Sequence, residues 1–165
     1  MSTAIVRAVR REDVPSVWEL LMGLARYERL EPEVTGSAAR LAEHLFGERP
    51  MVECLVAEVE RSLVGYALFY PTYSSFSTGP MMWLEDLYVV PERRGQGDGR
   101  ALLAEVSRLA LARGCRRLGW IVLDWNAPSI RFYEGLGAQR AGTDWLQYGF
   151  DEAALTALAA PSRTT

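Results

Sequence analysis

Two adjacent carboxylates, Glu85 and Asp86, stand a short way ahead of an arginine- and glycine-rich stretch, Arg93-Arg94-Gly95-Gln96-Gly97-Asp98-Gly99-Arg100. Glycine at every second position lets consecutive backbone N–H groups turn toward one point and lets an anion approach closely. Arg93, Arg94 and Arg100 add full positive charge. Where such a loop opens into a helix, the helix N-terminus adds about +0.5 of partial charge. The combination suits a pyrophosphate, and a nearby carboxylate can take or give a proton. The chemistry on offer is therefore acid/base work beside a bound phosphate ester. An ordinary strand–helix turn accounts for a lone glycine-rich hexamer equally well.

The flanking elements favour the anion site. Met81–Val90 reads as a strand. Gly97–Ala112 reads as a helix with Leu102, Leu103, Val106, Leu109 and Ala110 on one face, stopped by Gly114. The loop is not a phosphate-binding loop of the Gly-Lys-Ser/Thr type, because that triplet is missing. Nor is it the dinucleotide fingerprint, whose glycines are spaced differently and follow the first strand of a fold.

The remaining chain supplies the frame. Ala4–Val9 reads as a strand. Asp13 offers an N-cap with Pro15 in the first turn, and Val14, Val17, Trp18, Leu21, Leu24 and Ala25 follow at helical spacing to about Tyr27-Glu28. Ala38–Phe46 reads as a second helix; its His44 is taken as a packing or surface residue. Cys54–Val59 and Leu63–Tyr70 are strands joined at Glu60-Arg61-Ser62. Pro71–Pro80 reads as a Ser/Thr/Gly-rich loop facing substrate. Arg117–Leu123 is a strand. Asn126 caps the next helix, Pro128 sits in its first turn and Gly137 ends it. Trp145–Phe150 is a last strand, and Asp151 starts a short C-terminal helix. The order β α α β β β α β α β implies an α/β or α+β sheet with helices on both faces.

The chain has 165 residues, 49% of them hydrophobic, and a net charge of -3. It suits one domain spanning 1–165 with a real core. A general nucleic-acid binder would normally present a basic face, so that class is set aside. Cys54 and Cys115 read as reduced buried thiols, and no metal site is expected. No stretch reaches the ~20 apolar residues of a membrane span, and no signal peptide is visible, so a cytoplasmic protein without a membrane partner is expected.

Arg94-x-x-Gly97-x-Gly99 after a strand resembles the acyl-CoA-binding motif of the GCN5-related N-acetyltransferases (GNAT superfamily). Asp124-Trp125-Asn126-Ala127-Pro128-Ser129-Ile130-Arg131-Phe132-Tyr133-Glu134-Gly135-Leu136-Gly137-Ala138 is similar to that family's second motif. Arg26-Tyr27-Glu28, Cys54-Leu55-Val56-Ala57-Glu58, Leu84-Glu85-Asp86 and Leu123-Asp124-Trp125-Asn126 resemble the diamine acetyltransferase subgroup, which includes the spermidine/spermine and thialysine enzymes. The resemblance runs from about Ile5 to Phe150. It implies a mixed, mostly antiparallel sheet of six to seven strands with a splayed strand pair. It further implies acetyl-CoA as co-substrate, a small-molecule amine as acceptor, and a homodimer.

By the same resemblance, Arg94, Gly95, Gln96, Gly97, Asp98, Gly99 and Arg100 hold pyrophosphate. Leu87, Tyr88 and Val89 line the pantetheine, Asn126 hydrogen-bonds the pantetheine arm or caps its helix, and Pro128 and Ser129 also bind the cofactor. Glu85 is the base, or else a charge partner of the substrate. Asp86 is a structural or substrate-binding carboxylate; a regular strand turns it away from Glu85, and the bulge this family carries would change that phase. Tyr133 protonates the departing sulfur, which its pKa of about 10 allows, or else packs its ring on the helix. Tyr27 and Glu28 match the substrate-binding pair. Three features depart from relatives. Asp98 puts an acid where an apolar residue is usual, tolerable if it points outward or pairs with Arg93 or Arg94. Tyr73-Ser74-Ser75-Phe76 lacks the aspartate of polyamine enzymes, which points to a small amine of one or two charges. The loop before Trp145 is short, with Asp144 its only acid. Acetylation of a protein N-terminus or lysine, and a non-catalytic CoA-binding regulator, are the rival readings.

Overall fold

Leu55-Val56-Ala57 and Tyr66-Ala67-Leu68-Phe69 are unbroken apolar runs, buried at every position. That pattern requires strands covered on both faces. The computed structural model describes residues 2–142 and 147–160. Within them the order is β1 (Ile5–Ala8), α1 (Val14–Glu28), α2 (Ala38–Phe46), β2 (Glu53–Val59), β3 (Ser62–Ser74), β4 (Gly79–Val89), α3 (Asp98–Ala112), β5 (Leu118–Gly119), α4 (Ala127–Gly135) and α5 (Glu152–Ala159). The described strands form one five-stranded sheet in the order β1-β2-β3-β4-β5, antiparallel except for the parallel β4–β5 pair.

The chain divides into two compact units, Met1–Ile121 and Val122–Thr165. In the first, alternate residues of β3 serve opposite faces. Tyr66 and Leu68, with Tyr88 of β4 and Val56 of β2, pack against Val14, Val17 and Leu20 of α1 and Leu45 of α2. Gly65 lies on the other face, where an added Cβ would be 3.4 Å from Leu102 Cδ1 of α3. Leu102 and Val106 of α3 are fully buried with Phe69, Met82 and Leu84. Each such side chain contributes about 2 kcal/mol of burial.

In the second unit, Asn126 caps α4 by accepting from the Ser129 amide, and Asp151 caps α5 by accepting from the Ala154 amide. Gly137, at φ +92°, closes α4. Asp144, Trp145 and Leu146 lie outside the described residues, and Gln147–Phe150, the rest of the expected last strand, forms none.

Three further expectations are corrected. Pro71–Pro80 is not a loop. β3 and β4 continue as a two-stranded ribbon paired from Pro71↔Met82 to Ser74↔Gly79, and the turn is only Ser75–Thr78. The pairing of β3 with β2 ends at Phe69, so beyond it β3 is paired on one side only among the described residues, a position that tolerates proline. The strand expected over Arg117–Leu123 shrinks to Leu118–Gly119, opposite Met82 and Trp83. Asp13 does not cap α1. Its carboxylate accepts instead from the Arg10 amide at 2.7 Å and from both Arg7 Nη atoms at 2.6 and 3.0 Å.

Candidate active site

β3 and β4 pair rung by rung from Ser74↔Gly79 to Phe69↔Leu84, then from Leu68↔Asp86 to Gly65↔Val89. Glu85 is the residue left over, a β-bulge. The extra residue changes the phase of the strand, so the two carboxylates share the α1 face. Asp86 stands in phase with Tyr88 and accepts from Tyr66 Oη at 2.9 Å. Glu85 Oε2 accepts from Tyr70 Oη and Trp83 Nε1, each at 3.0 Å. A regular strand would have separated them.

The electrostatics follow from that grouping. Burial above all pushes the Asp86 carboxyl up to about 6; the Tyr66 hydrogen bond opposes this, while the charges of Glu85 and Glu28 add to it. Burial likewise raises Glu28, near the end of α1. Tyr66 is driven well above its ordinary value, first by burial and then by Asp86. Three carboxylates from α1 and β4 thus act on one locus, which favours a cationic group.

At the end of β4 the loop residues divide in their duties. Arg94 donates from Nε to the Val89 carbonyl at 3.0 Å. Its guanidinium lies 4.6 Å from the Tyr27 ring centroid and 5.6 Å from that of Tyr88. The structure therefore brings Tyr27, expected on the amine side, against an arginine of the glycine loop. Gly95 and Gly97 have φ of +77° and +95°, and a Cβ at either would meet nothing within 4 Å. Glycine is needed there for conformation rather than for space. Gln96 donates from Nε2 to the Glu92 carbonyl. Asp98, only 4% exposed, is held by Arg93 Nε at 2.9 Å and Nη2 at 3.2 Å. Arg93 Nη2 also reaches the Ser2 carbonyl. The acid that looked misplaced in the loop is thus turned onto Arg93, and its amide remains at the start of α3 with those of Gly99 and exposed Arg100. As at any helix start, those amides have no intrahelical acceptor.

Leu87 and Val89 are half-buried and pair with Ala67 and Gly65 of β3. On the other side of β4, the β5 ladder covers only Met82 and Trp83 among the described residues. In the second unit Asn126 is buried, Pro128 and Ser129 occupy the first turn of α4, and Tyr133 lies edge-on to Phe132 with ring centroids 5.2 Å apart. Cys54 and Cys115 are buried free thiols. Among the described residues no cluster of His, Cys, Asp or Glu is placed to hold a metal ion, and no helix is long and apolar enough to cross a membrane.

Sequence reasoning missed four residues around these carboxylates. Trp83 is two positions before Glu85, a strand spacing that carried the signal. Gly23 carried one too, as a glycine inside an amphipathic helix; a Cβ there would lie 2.8 Å from Tyr88 Oη. Tyr66 and Tyr70 had none, because their partnership depends on register.

Comparison with known proteins identifies the family. A family model described as acetyltransferase (GNAT) family matches residues 15–138. The thialysine N-epsilon-acetyltransferase of Mus musculus is 37% identical over 169 residues, taking in 96% of this chain and 99% of that protein. The spermidine/spermine N(1)-acetyltransferase-like protein 1 of Homo sapiens is 34% identical over 140 residues, 81% of this chain and 20% of that protein. Among solved structures, an integron cassette protein from the mobile metagenome of V. cholerae matches with a TM-score of 0.79 at 23% identity, covering 98% of this chain and 100% of that one.

Proposed function

The chain belongs to the acetyltransferase (GNAT) family, and on that premise we propose that it transfers the acetyl group of acetyl-CoA directly to a primary amine of a small molecule. Diamines, polyamines and thialysine-like amines are the acceptor class. The observation that carries the reading is the bulge, which gathers Glu85 and Asp86 on the face where Glu28 also acts, immediately before the glycine loop. That loop fits the co-substrate: left-handed Gly95 and Gly97 and the amides at the start of α3 suit a pyrophosphate.

A free alkylamine has a pKa of about 10.4 and attacks a thioester only when neutral. Glu85 takes its proton, directly or through water. The amine nitrogen then bonds to the acetyl carbon as the carbon–sulfur bond breaks, Tyr133 delivers a proton to the sulfur, and the surplus proton of the new amide nitrogen passes through water to restore Tyr133. Backbone groups of Leu87 and Val89 line the pantetheine, where β4 has a ladder partner on the β3 side only, and one amide polarises the thioester carbonyl. Arg94, Gly95, Gln96, Gly97, Gly99 and Arg100 hold the pyrophosphate, with Asp98 contributing its amide. Tyr27, Glu28 and Asp86 receive the amine. Three carboxylates and a serine-rich turn suit a short amine of one or two charges. The splayed β4–β5 pair, a sheet of more than five strands, a single domain over 1–165, a homodimer and a cytoplasmic location belong to the same reading and rest on the family resemblance.

The test is kinetic. Glu85→Gln and Tyr133→Phe should each lower kcat by about a hundredfold or more, with little change in KM for acetyl-CoA. If neither lowers kcat, these roles are wrong. A thiol-release assay across diamines, polyamines, thialysine and amino acids identifies the acceptor.

A further inference from the structure

Glu85 is the one residue of β4 skipped by the β3 ladder, and its side chain is exposed. Left alone, a glutamate in such a place spreads over several rotamers. Here two donors converge on a single oxygen. Tyr70 Oη and Trp83 Nε1 each lie 3.0 Å from Oε2. Tyr70 and Trp83 face each other across the ladder, so one donor comes from each strand of the hairpin. The strand beyond is shaped for the indole. Gly119 pairs with Trp83, and a Cβ on it would lie 3.3 Å from Trp83 Cε3 and Cζ3.

We infer that Tyr70 and Trp83 are positioning residues that hold Glu85 by Oε2 and so present Oε1 to the amine or its bridging water. The inference rests on the reading of Glu85 as the base. Two fixed donors remove rotamer freedom from the carboxylate before substrate arrives, which is the supporting shell that a reacting group needs. Neither aromatic residue touches the transferred acetyl group in this scheme; both act through Glu85.

Tyr70→Phe and Trp83→Phe each remove one donor and keep a ring. Each should lower kcat about tenfold, the scale of one hydrogen bond to a charged group, without changing KM for acetyl-CoA. In the Glu85→Gln background the same substitutions should leave the residual kcat unchanged. A purely structural role predicts the opposite, an equal loss in both backgrounds, and that result overturns the inference. So does a wild-type kcat in both single variants, or a rise in amine KM with kcat intact. If Glu85→Gln itself retains full kcat, the base assignment fails first, and that is read from the parent variant before either donor is touched. Should Trp83→Phe fold poorly over Gly119, the milder Tyr70→Phe carries the test.

Discussion

Tyr66 Oη donates to Asp86 Oδ2 at 2.9 Å, joining adjacent strands beneath α1. This bond works against burial, which raises Asp86 from 3.8 to about 6. A carboxyl whose folded value is raised stabilises the fold in its protonated form. Its contribution is complete below the unfolded value and is lost as pH climbs through about 6. The full interval is worth about 3 kcal/mol. Asp86→Asn should therefore be more stable than wild type at pH 8, and the difference should vanish by about pH 4. Melting temperatures of both proteins across that range check the sign; a difference independent of pH would contradict it.

Gly23 sets two effects against each other. Alanine gains about 1 kcal/mol of helix propensity over glycine. A Cβ at this position, however, lies 2.8 Å from Tyr88 Oη and 3.1 Å from Tyr88 Cζ, and that ring is buried. Overpacking costs about 1–3 kcal/mol, so it should win. Gly23→Ala is expected to lose about 1–2 kcal/mol in urea unfolding and to disturb the Arg94 stack on Tyr88. A gain in stability would show that the ring moves aside freely.

For Gly97, space is not the issue. Its φ of +95° is the obstacle, since a left-handed conformation costs an ordinary residue about 1–2 kcal/mol. Gly97→Ala should destabilise by about that amount and raise KM for acetyl-CoA as the loop shifts. Gly135, whose added Cβ also meets nothing and whose φ is not positive, is the control. Gly135→Ala should be neutral or slightly stabilising by the same unfolding measurement.

Asp98→Asn should strand Arg93, whose side chain is 16% exposed against 4% for Asp98. Breaking such a pair from one side costs about 3 kcal/mol or more. Denaturant midpoints should show the loss, and Arg93→Met in the same chain should recover part of it. Acetyl-CoA affinity should not improve, because the carboxylate is already neutralised by Arg93.

What the sequence disclosed depended on how local each signal was. The glycine loop and the start of α3 were legible because Gly95, Gly97 and Arg94 act within a few residues of one another. The caps at Asn126 and Asp151 were legible for the same reason. Asp13 was misjudged because Arg7, on the preceding strand, outbids the helix for its carboxylate, a contact that sequence spacing does not display. The Ser/Thr/Gly-rich composition of Pro71–Pro80 suggested a loop, yet the segment is a ribbon, and its two prolines fall where their strand is paired on one side among the described residues. Most consequentially, the family resemblance put a bulge near the two carboxylates, but its place at Glu85 could be read only from the register. No residue type marks it, and it alone decides that Asp86 shares a face with Glu85.

That bulge separates the scaffold from the carboxylate it presents. Deleting Glu85 would place Leu84 and Asp86 as consecutive rungs opposite Phe69 and Leu68, giving an unbroken ladder. The sheet does not need the residue that we propose as the base. If Glu85 is the base as proposed, loss of three nucleotides would silence such a protein while keeping the β3–β4 ladder, and the reverse insertion would restore it. On that reading, catalytic and silent forms of one scaffold lie a single mutational event apart.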